Sequence, residues 1–382
     1  MRIGLRGAGI TLASASLVLA GAIPAFAQSP AASQAPGNWP ASGTLKDGST
    51  FTLKPSTAAK LANGGDINYV FSYQSPSIPL FSAQYQAGYT TTLPQAQAIL
   101  PSLKGQIIAP TTDATGIDVP QQLAQIQALI DTDSIDCLSI EPPDSNAFTA
   151  LTNQAMAAGI PVFTVGVSSN GNELTNFTQI PSLEGAQAAN IVLQWMKDNN
   201  KDIKVFAVSG GSPTSFWGQG RMKSFRETIQ AAIPDATFAN DETSALNVGF
   251  QSGPAYDAYA AFLTGHPDVQ FIENVDITAE QADRAIQDAG LDGKVNTIGW
   301  NVSYGQLDAI DQGTQVAALD QKWSEQAGFG ALACADFLKN GIIRPNSQVL
   351  YPVTKANSAE ARAALDAVLG APASVAPAST AP

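Results

Sequence analysis

A strand–helix–strand unit in the second half of the chain constrains the fold more than any other feature of this sequence. A short apolar run at 269–272 ends in a polar loop at 273–276. A helix is predicted over 278–290, and a second apolar run at 295–299 is followed by Asn301. Two parallel strands joined in this way leave the polar residues that follow them on one edge of the sheet. Open parallel sheets bind their ligands at that edge, so the unit predicts a binding site there.

The same rhythm of short apolar runs and helical periods extends over most of the chain. Nearly continuous apolar runs predict buried strands at 67–72, 106–109, 136–140, 161–165, 203–208, 236–239, 269–272, 295–299, 315–319 and 349–353. Between them the 3.6-residue period predicts helices, as in Leu123, Ile126 and Ile130. Alternation of this kind predicts an α/β protein with doubly wound parallel sheets. Ten strands are more than a single sheet usually contains, so two lobes, each with its own sheet, are expected.

The two ends of the chain differ in composition from the part between them. Residues 1–27 combine a basic start, a short apolar core and an Ala25-Phe26-Ala27 cleavage site, which predicts a signal peptide. The sequence has no cysteine near that site, so a lipid anchor is not predicted. We expect export to the periplasm. Residues 28–65 are predicted to form a partly disordered extension, and residues 357–382 a mostly disordered tail.

Composition and motifs exclude several classes of function. The formal net charge of −13 becomes −15 without residues 1–27, which argues against nucleic acid as a partner. The one histidine, His266, lies in a turn away from the expected ligand edge, so no catalytic triad is predicted. Asp131, Asp133 and Asp136 lack the glycine and glutamate of a calcium loop, and neither a metal nor a cofactor is expected. Cys137 and Cys334 are isolated; two small buried side chains are favoured, and their pairing stays open.

The unit at 261–300 resembles the second lobe of periplasmic sugar-binding proteins of the ribose-binding type. The resemblance rests on a Pro267-Asp268 turn, a strand ending in a polar loop with an acid, and the Gly299-Trp300 strand end. It extends from residue 67 to residue 353. It implies two lobes joined by a hinge that the chain crosses several times, near 179–182, near Asn301 or Gln321, and near residue 349. The implied limits are 66–180 with 322–348 for the N-terminal lobe, and 181–321 with 349–356 for the C-terminal lobe.

The resemblance also implies which side chains contact a ligand. The positions that match the ligand-contacting loops of the family are Phe81, Glu141, Trp217, Gln219, Phe250, Asp276, Trp300, Asn301 and Gln321. Asn146 is expected to cap the helix that carries Phe148 and Leu151, and Asp144 is expected to cap the turn that follows Glu141. The segment 164–167 falls where many pentose and hexose binders carry an Asp-Arg pair, and the absence of that pair argues against ribose itself.

The function implied by the resemblance is solute binding rather than catalysis. A sugar or polyol would bind between the lobes, drive hinge closure and pass to the membrane subunits of an ABC-type permease, with the binding protein a monomer. A ligand-presenting sensor for a chemoreceptor or a histidine kinase remains an alternative, and a secreted enzyme is a third class. Neighbouring genes for an ATPase and a permease would separate transport from sensing.

Overall fold

The computed structural model describes residues 42–45, 47–74, 76–111, 117–346 and 350–370, so the predicted signal peptide lies outside the described residues. The strands in the described part are β1 (Ser42–Thr44), β2 (Thr50–Thr52), β3 (Ile67–Ser72), β4 (Leu103–Ile108), β5 (Cys137–Ile140), β6 (Val162–Gly166), β7 (Thr175–Thr178), β8 (Val205–Gly210), β9 (Thr237–Phe238), β10 (Leu246–Asn247), β11 (Phe271–Asn274), β12 (Asn296–Trp300), β13 (Gln315–Asp320) and β14 (Tyr351–Val353). The helices are α1 (Pro55–Asn63), α2 (Pro79–Ile99), α3 (Val119–Asp131), α4 (Ser145–Ala157), α5 (Pro181–Asp198), α6 (Phe216–Ala232), α7 (Ser252–Gly265), α8 (Ala279–Asp288), α9 (Tyr304–Gln312), α10 (Trp323–Asn340) and α11 (Ser358–Leu369).

The N-terminal lobe is built on a five-stranded parallel sheet in the order β4-β3-β5-β6-β7. Its central strands β5 and β6 are buried along their whole length, as expected for strands covered by helices on both faces. Helix α10 packs on α2 and on β3, β5 and β6. This lobe therefore takes its covering helix from a part of the chain that follows the second lobe.

The C-terminal lobe is built on a second sheet in the order β10-β8-β11-β12-β13-β14, with β9 also paired to β8. All its pairs are parallel except β13 with β14, which is antiparallel. One apolar core joins α5 and α6 to the sheet, and a separate core joins α7 and α8 to its other face. The predicted α/β class with two doubly wound, largely parallel sheets is confirmed.

The chain passes between the two sheets at three places. Residues 179–180 join β7 to α5, residues 321–322 join β13 to α10, and residues 341–350 lead from α10 to β14. Asn301, the alternative position for the second crossing, follows β12 and stays in the C-terminal lobe. Residues 347–349, which include the predicted third crossing, lie outside the described residues.

The ten predicted strands all overlap observed strands, and the differences are confined to short or exposed elements. Sequence periodicity missed β1, β2, β7 and β10, which have only two to four residues and too few positions to show a period. Asp144 caps α4 in place of the predicted Asn146, since its side chain accepts a hydrogen bond from the backbone N–H of Ala147 at 2.9 Å.

Two packing features differ from the sequence expectation. Cys137 of β5 and Cys334 of α10 form a disulfide with their Cα atoms 6.2 Å apart, so the reading of two unpaired side chains is wrong. Pairing could not be read from the sequence because 197 residues separate the two cysteines and only the fold brings α10 back to β5. The prediction of a mostly disordered tail does not hold for Ser358–Leu369, because this segment forms α11 and buries Leu365.

Candidate functional site

One cavity lies where the carboxyl ends of the two parallel sheets face each other. It encloses about 580 Å³ of space, part of which is open to solvent. Its lining residues come from both lobes and from two crossings, and they are Gln74, Ile78, Phe81, Tyr85, Ile117, Glu141, Val167, Gln179, Trp217, Arg221, Phe250, Asp276, Ile277, Asn301, Gln321 and Trp323. The cavity is therefore in the place where open α/β sheets bind ligands, and it is shared between the lobes.

Seven of the nine predicted contact residues line this cavity. They are Phe81, Glu141, Trp217, Phe250, Asp276, Asn301 and Gln321. Three of them follow a strand directly: Glu141 follows β5, Asn301 follows β12, and Gln321 follows β13. Parallel strands deliver such residues to one edge, which is why segments far apart in sequence converge here.

Aromatic rings form the wall of the cavity on the N-terminal lobe. Phe81 lies in the first turn of α2, and the ring of Tyr85, one turn later, has its centroid 4.3 Å from that of Phe81. Trp323 at the start of α10 meets Phe81 edge-on at 4.8 Å. Rings locked together in this way offer a rigid apolar surface for the C–H face of a ligand.

Glu141 is the buried acid of the N-terminal lobe side. Its side chain is 4% exposed, and its carboxylate accepts hydrogen bonds from the side-chain amide of Gln74 at 2.8 Å and from the backbone N–H of Gln74 at 3.2 Å. Burial raises the pKa of Glu141 to about 7, and the two bonds from Gln74 oppose that rise. The Oε1 atom of Gln74 is itself buried without a hydrogen-bond partner in the described structure. The pair therefore presents acceptor atoms to the cavity.

Asp276 organises the facing loops of the C-terminal lobe. One carboxylate oxygen accepts from the backbone N–H groups of Gly211 at 2.5 Å and Ser212 at 3.3 Å, and the other accepts from Thr278. Burial raises the pKa of Asp276, against the effect of these hydrogen bonds. A Cβ at Gly211 would come within 2.6 Å of the Phe250 ring, so this glycine leaves the space in which that ring lies.

Arg221 joins the two described crossings beneath the cavity. Its guanidinium donates to the side chains of Gln179 at 2.7 Å and Gln321 at 2.9 Å, one from each crossing. It also donates to Glu184 at 2.8 Å and to the carbonyl of Val275 at 2.7 Å. Because Arg221 is only 1% exposed, these bonds are formed away from bulk water and hold the hinge residues in register.

Gln321 continues this network to the end of β12. Its side-chain amide donates to Oδ1 of Asn301 at 2.7 Å, and its backbone carbonyl accepts from the side chain of Gln326. Asn301 has a φ of +66°, in the left-handed region that asparagine tolerates better than most residues. This backbone turn lies where the chain leaves β12 beside the cavity.

Two of the predicted contact residues, Trp300 and Gln219, do not line this cavity. Trp300 is fully buried in the core of the C-terminal lobe, and its ring lies 5.0 Å from the guanidinium of Arg221. Strand alternation explains this, because consecutive residues of β12 point to opposite faces of the sheet and Trp300 points into the helix layer. Gln219 turns away on α6 and donates to the carbonyls of Pro213 and Glu242.

Several lining residues were not among the predicted contacts, and the sequence carried a signal for some of them. Gln74 follows β3 by two residues, so the strand-end rule applies to it as well as to Glu141. Tyr85 shares a helix face with Phe81, four residues earlier. Gln179 lies at the first crossing, but nothing in the local sequence indicates that its side chain reaches Arg221.

The remaining sequence candidates have structural roles. His266 packs its ring on Phe262 at 4.4 Å, and Asp136 is buried and paired with Lys54 and Lys60 of the N-terminal extension. In the part of the chain that the structure describes, no group of three or more His, Cys, Asp or Glu side chains is placed to hold a metal ion. Nor does any helix described here combine the length and apolarity needed to cross a bilayer.

Comparison with protein families finds one match, and it covers most of the chain. The family described as periplasmic binding protein domain matches residues 80–342. This range includes most of both sheets and all the residues that line the cavity except Gln74 and Ile78.

Individual relatives are distant in sequence and close in fold. The ribose import binding protein RbsB of Bacillus subtilis is 26% identical over 227 residues, which is 59% of this chain and 69% of that protein. The myo-inositol binding protein of Caulobacter, solved with myo-inositol, has a TM-score of 0.63 at 21% identity and covers 78% of this chain and 96% of its own. An ABC transporter solute binding protein of Bacillus halodurans with bound myo-inositol has a TM-score of 0.65 at 15% identity. The match covers 78% of this chain and 98% of that protein.

Proposed function

This chain belongs to the periplasmic binding protein domain family, and from that premise we propose that it is an extracytoplasmic solute-binding protein of an ABC-type importer. In this proposal it captures a sugar or polyol between its two lobes and delivers it to the membrane subunits of a permease. The relatives named above bind ribose or myo-inositol, and the proposal extends that class of small hydroxyl-rich ligand to this chain.

The observation that carries the proposal is the composition of the cavity at the strand-end edges of the two lobes. Phe81 and Glu141 enter it from the N-terminal lobe, Phe250 and Asn301 enter it from the C-terminal lobe, and Gln321 enters it from a crossing. A ligand that contacts all three regions binds more tightly when the lobes are closed. It therefore shifts the hinge equilibrium towards closure, which a permease can recognise.

The chemistry of the lining suits a ligand with apolar C–H faces and many hydroxyl groups. Rings such as Trp323 and Phe81 offer flat surfaces, while Gln74 and Glu141 offer buried acceptors for hydroxyl donors. A disulfide between Cys137 and Cys334 is typical of proteins in an oxidising compartment, which supports export.

A thermal-shift screen against pentoses, hexoses, inositols and linear polyols tests the proposal. A true ligand at 100 times its dissociation constant stabilises the protein by about 2.7 kcal/mol, which gives a clear rise in melting temperature. We expect Gln321→Ala to weaken binding of that ligand by about tenfold, because the side chain that links Asn301 to Arg221 is lost.

Gln219→Ala is the matched control, since it removes the same side chain from a residue outside the cavity. Equal affinities of both variants and the parent protein, measured by titration calorimetry, would remove Gln321 from the site. A screen in which no sugar or polyol raises the melting temperature would contradict the proposed function itself.

A further inference from the structure

The side chains that line the cavity include more acidic groups than basic groups. Two carboxylates, Glu141 and Asp276, line it, and Arg221 is the one lysine or arginine among the described lining residues. Arg221 is already paired with Glu184, and its other hydrogen bonds within the described structure go to protein oxygens. The cavity therefore offers no uncommitted cation to an anionic ligand, and a phosphorylated or acidic sugar would be poorly held there.

The two carboxylates differ in the hydrogen bonds and counter-charges that the protein provides for them. Asp276 receives N–H or O–H donors on both oxygens from Gly211, Ser212 and Thr278. Among the described residues, Glu141 receives donors only from the neutral Gln74 and forms no ion pair. A buried carboxylate without a counter-charge costs free energy, which a cation brought by the ligand would recover.

Two further observations point to the same kind of ligand. The Oε1 atom of Gln74 is buried and has no donor in the described structure, and Gln74 lines the cavity together with Glu141. Five aromatic side chains, Phe81, Tyr85, Trp217, Phe250 and Trp323, also line the cavity. Aromatic faces attract cations as well as C–H groups, and this attraction strengthens when the cation is desolvated.

We propose that the preferred ligand is an amine-bearing sugar or polyol, whose protonated amine pairs with Glu141 and donates to Oε1 of Gln74. The hydroxyl groups of the same molecule bind the remaining polar groups, and its C–H face lies on the aromatic wall. This inference rests on the proposed function and narrows its ligand class from sugars and polyols in general to their cationic amino derivatives.

Titration calorimetry with matched ligand pairs tests the inference. The pairs are glucosamine with glucose, galactosamine with galactose, and 1-amino-1-deoxysorbitol with sorbitol, with N-acetylglucosamine as a neutral amide of similar shape. We expect at least one amine to bind tenfold or more tightly than its hydroxyl counterpart. Glu141→Gln, which keeps the shape of the side chain, should remove that preference, and Glu141→Asp should keep part of it.

Glu227→Gln is the control variant, because Glu227 is an exposed glutamate on α6 outside the cavity, and its loss should leave the preference unchanged. Circular dichroism of each variant shows whether it is folded. Neutral sugars that bind as tightly as their amines, or more tightly, would overturn this inference and leave the proposed function standing. Failure of both amines and neutral sugars to bind would overturn the two together.

Discussion

At the scale of single residues, it was easier to predict which residues reach the cavity than to predict what their side chains contact. Glu141, Asn301 and Gln321 were predicted from the family resemblance, and the structure brings them to one cavity. The polar atoms of Gln321 and Asp276 nevertheless form hydrogen bonds within the protein. The bonds of Gln321 stabilise the hinge, and those of Asp276 stabilise the strand-end loops. Glu141 is the acid whose charge the protein leaves without a counter-charge.

The raised pKa of Glu141 predicts a pH-dependent contribution to stability. With a pKa of about 7 in the folded protein and 4.5 as its ordinary value, Glu141 holds a proton more firmly in the folded state. Its contribution is therefore complete below about pH 4.5 and is lost as the pH rises through about 7. Glu141→Gln should thus gain about 1–3 kcal/mol of stability relative to the parent protein between pH 5 and pH 8.

Urea denaturation of both proteins across this pH range measures the difference, in which the contributions of the other acids cancel. Glu227→Gln serves as the exposed control and should show no such trend. A difference between parent and Glu141→Gln that stays constant with pH would show that Glu141 has an ordinary pKa in the folded protein.

Arg221 supports a second prediction at this scale. Replacing it by lysine keeps the charge but loses the planar fork that reaches Glu184, Gln179 and Gln321 together. We expect Arg221→Lys to lower the free energy of unfolding by about 2–4 kcal/mol. Arg226→Lys on the same helix, where the arginine pairs with the partly exposed Glu242, should cost less. Equal losses in chemical denaturation would contradict a special role for Arg221.

At the scale of elements, tertiary packing rather than local sequence determines the length of helix α2. Pro94 lies inside α2, yet the helix continues from Pro79 to Ile99. A proline inside a helix removes one backbone hydrogen bond, a cost that tertiary packing can offset. Helix α2 approaches α10 so closely that a Cβ on Gly88 would lie 2.1 Å from the carbonyl oxygen of Ser324. This close contact with α10 holds the helix together.

The disulfide between β5 and α10 gives a prediction about these elements. It joins Cys137 to Cys334 inside the N-terminal lobe, and it restricts a long loop of the unfolded chain. Replacing both cysteines by alanine should lower stability by about 2–4 kcal/mol. Calorimetric melting of the double variant, compared with the parent protein under oxidising and reducing conditions, measures the effect. A reductant that lowers the melting temperature of the double variant as much as that of the parent would argue against the bond as the cause.

At the scale of the whole molecule, α11 connects the two lobes outside the hinge. It packs against α9 of the C-terminal lobe and against α2 of the N-terminal lobe. Leu365 shares an apolar cluster with Leu307, and Leu80 of α2 packs against the same cluster. Arg362 pairs with Asp308, which fixes the helix on α9. Helix α11 therefore contributes a further contact between the lobes.

Truncation tests this contribution. A chain that ends at residue 357 loses α11 and exposes the apolar cluster around Leu307. We expect its free energy of unfolding to fall by about 2–4 kcal/mol, from the loss of the buried Leu365 and the smaller side chains beside it. The control ends at Gly370, which keeps the whole of α11, and should be as stable as the full chain. Equal stability of the two truncated chains in guanidinium denaturation would show that α11 adds nothing.

The sequence by itself determined the α/β alternation, the ten principal strands and the edge at which polar residues collect. These features follow from local periodicity, which a single chain segment already carries. Only the tertiary structure decided that Trp300 faces the core, that Cys137 meets Cys334, and that Arg221 joins the two crossings. Each of these depends on segments far apart in sequence meeting at ångström distances. Such meetings are set by the packing of whole layers rather than by any local pattern.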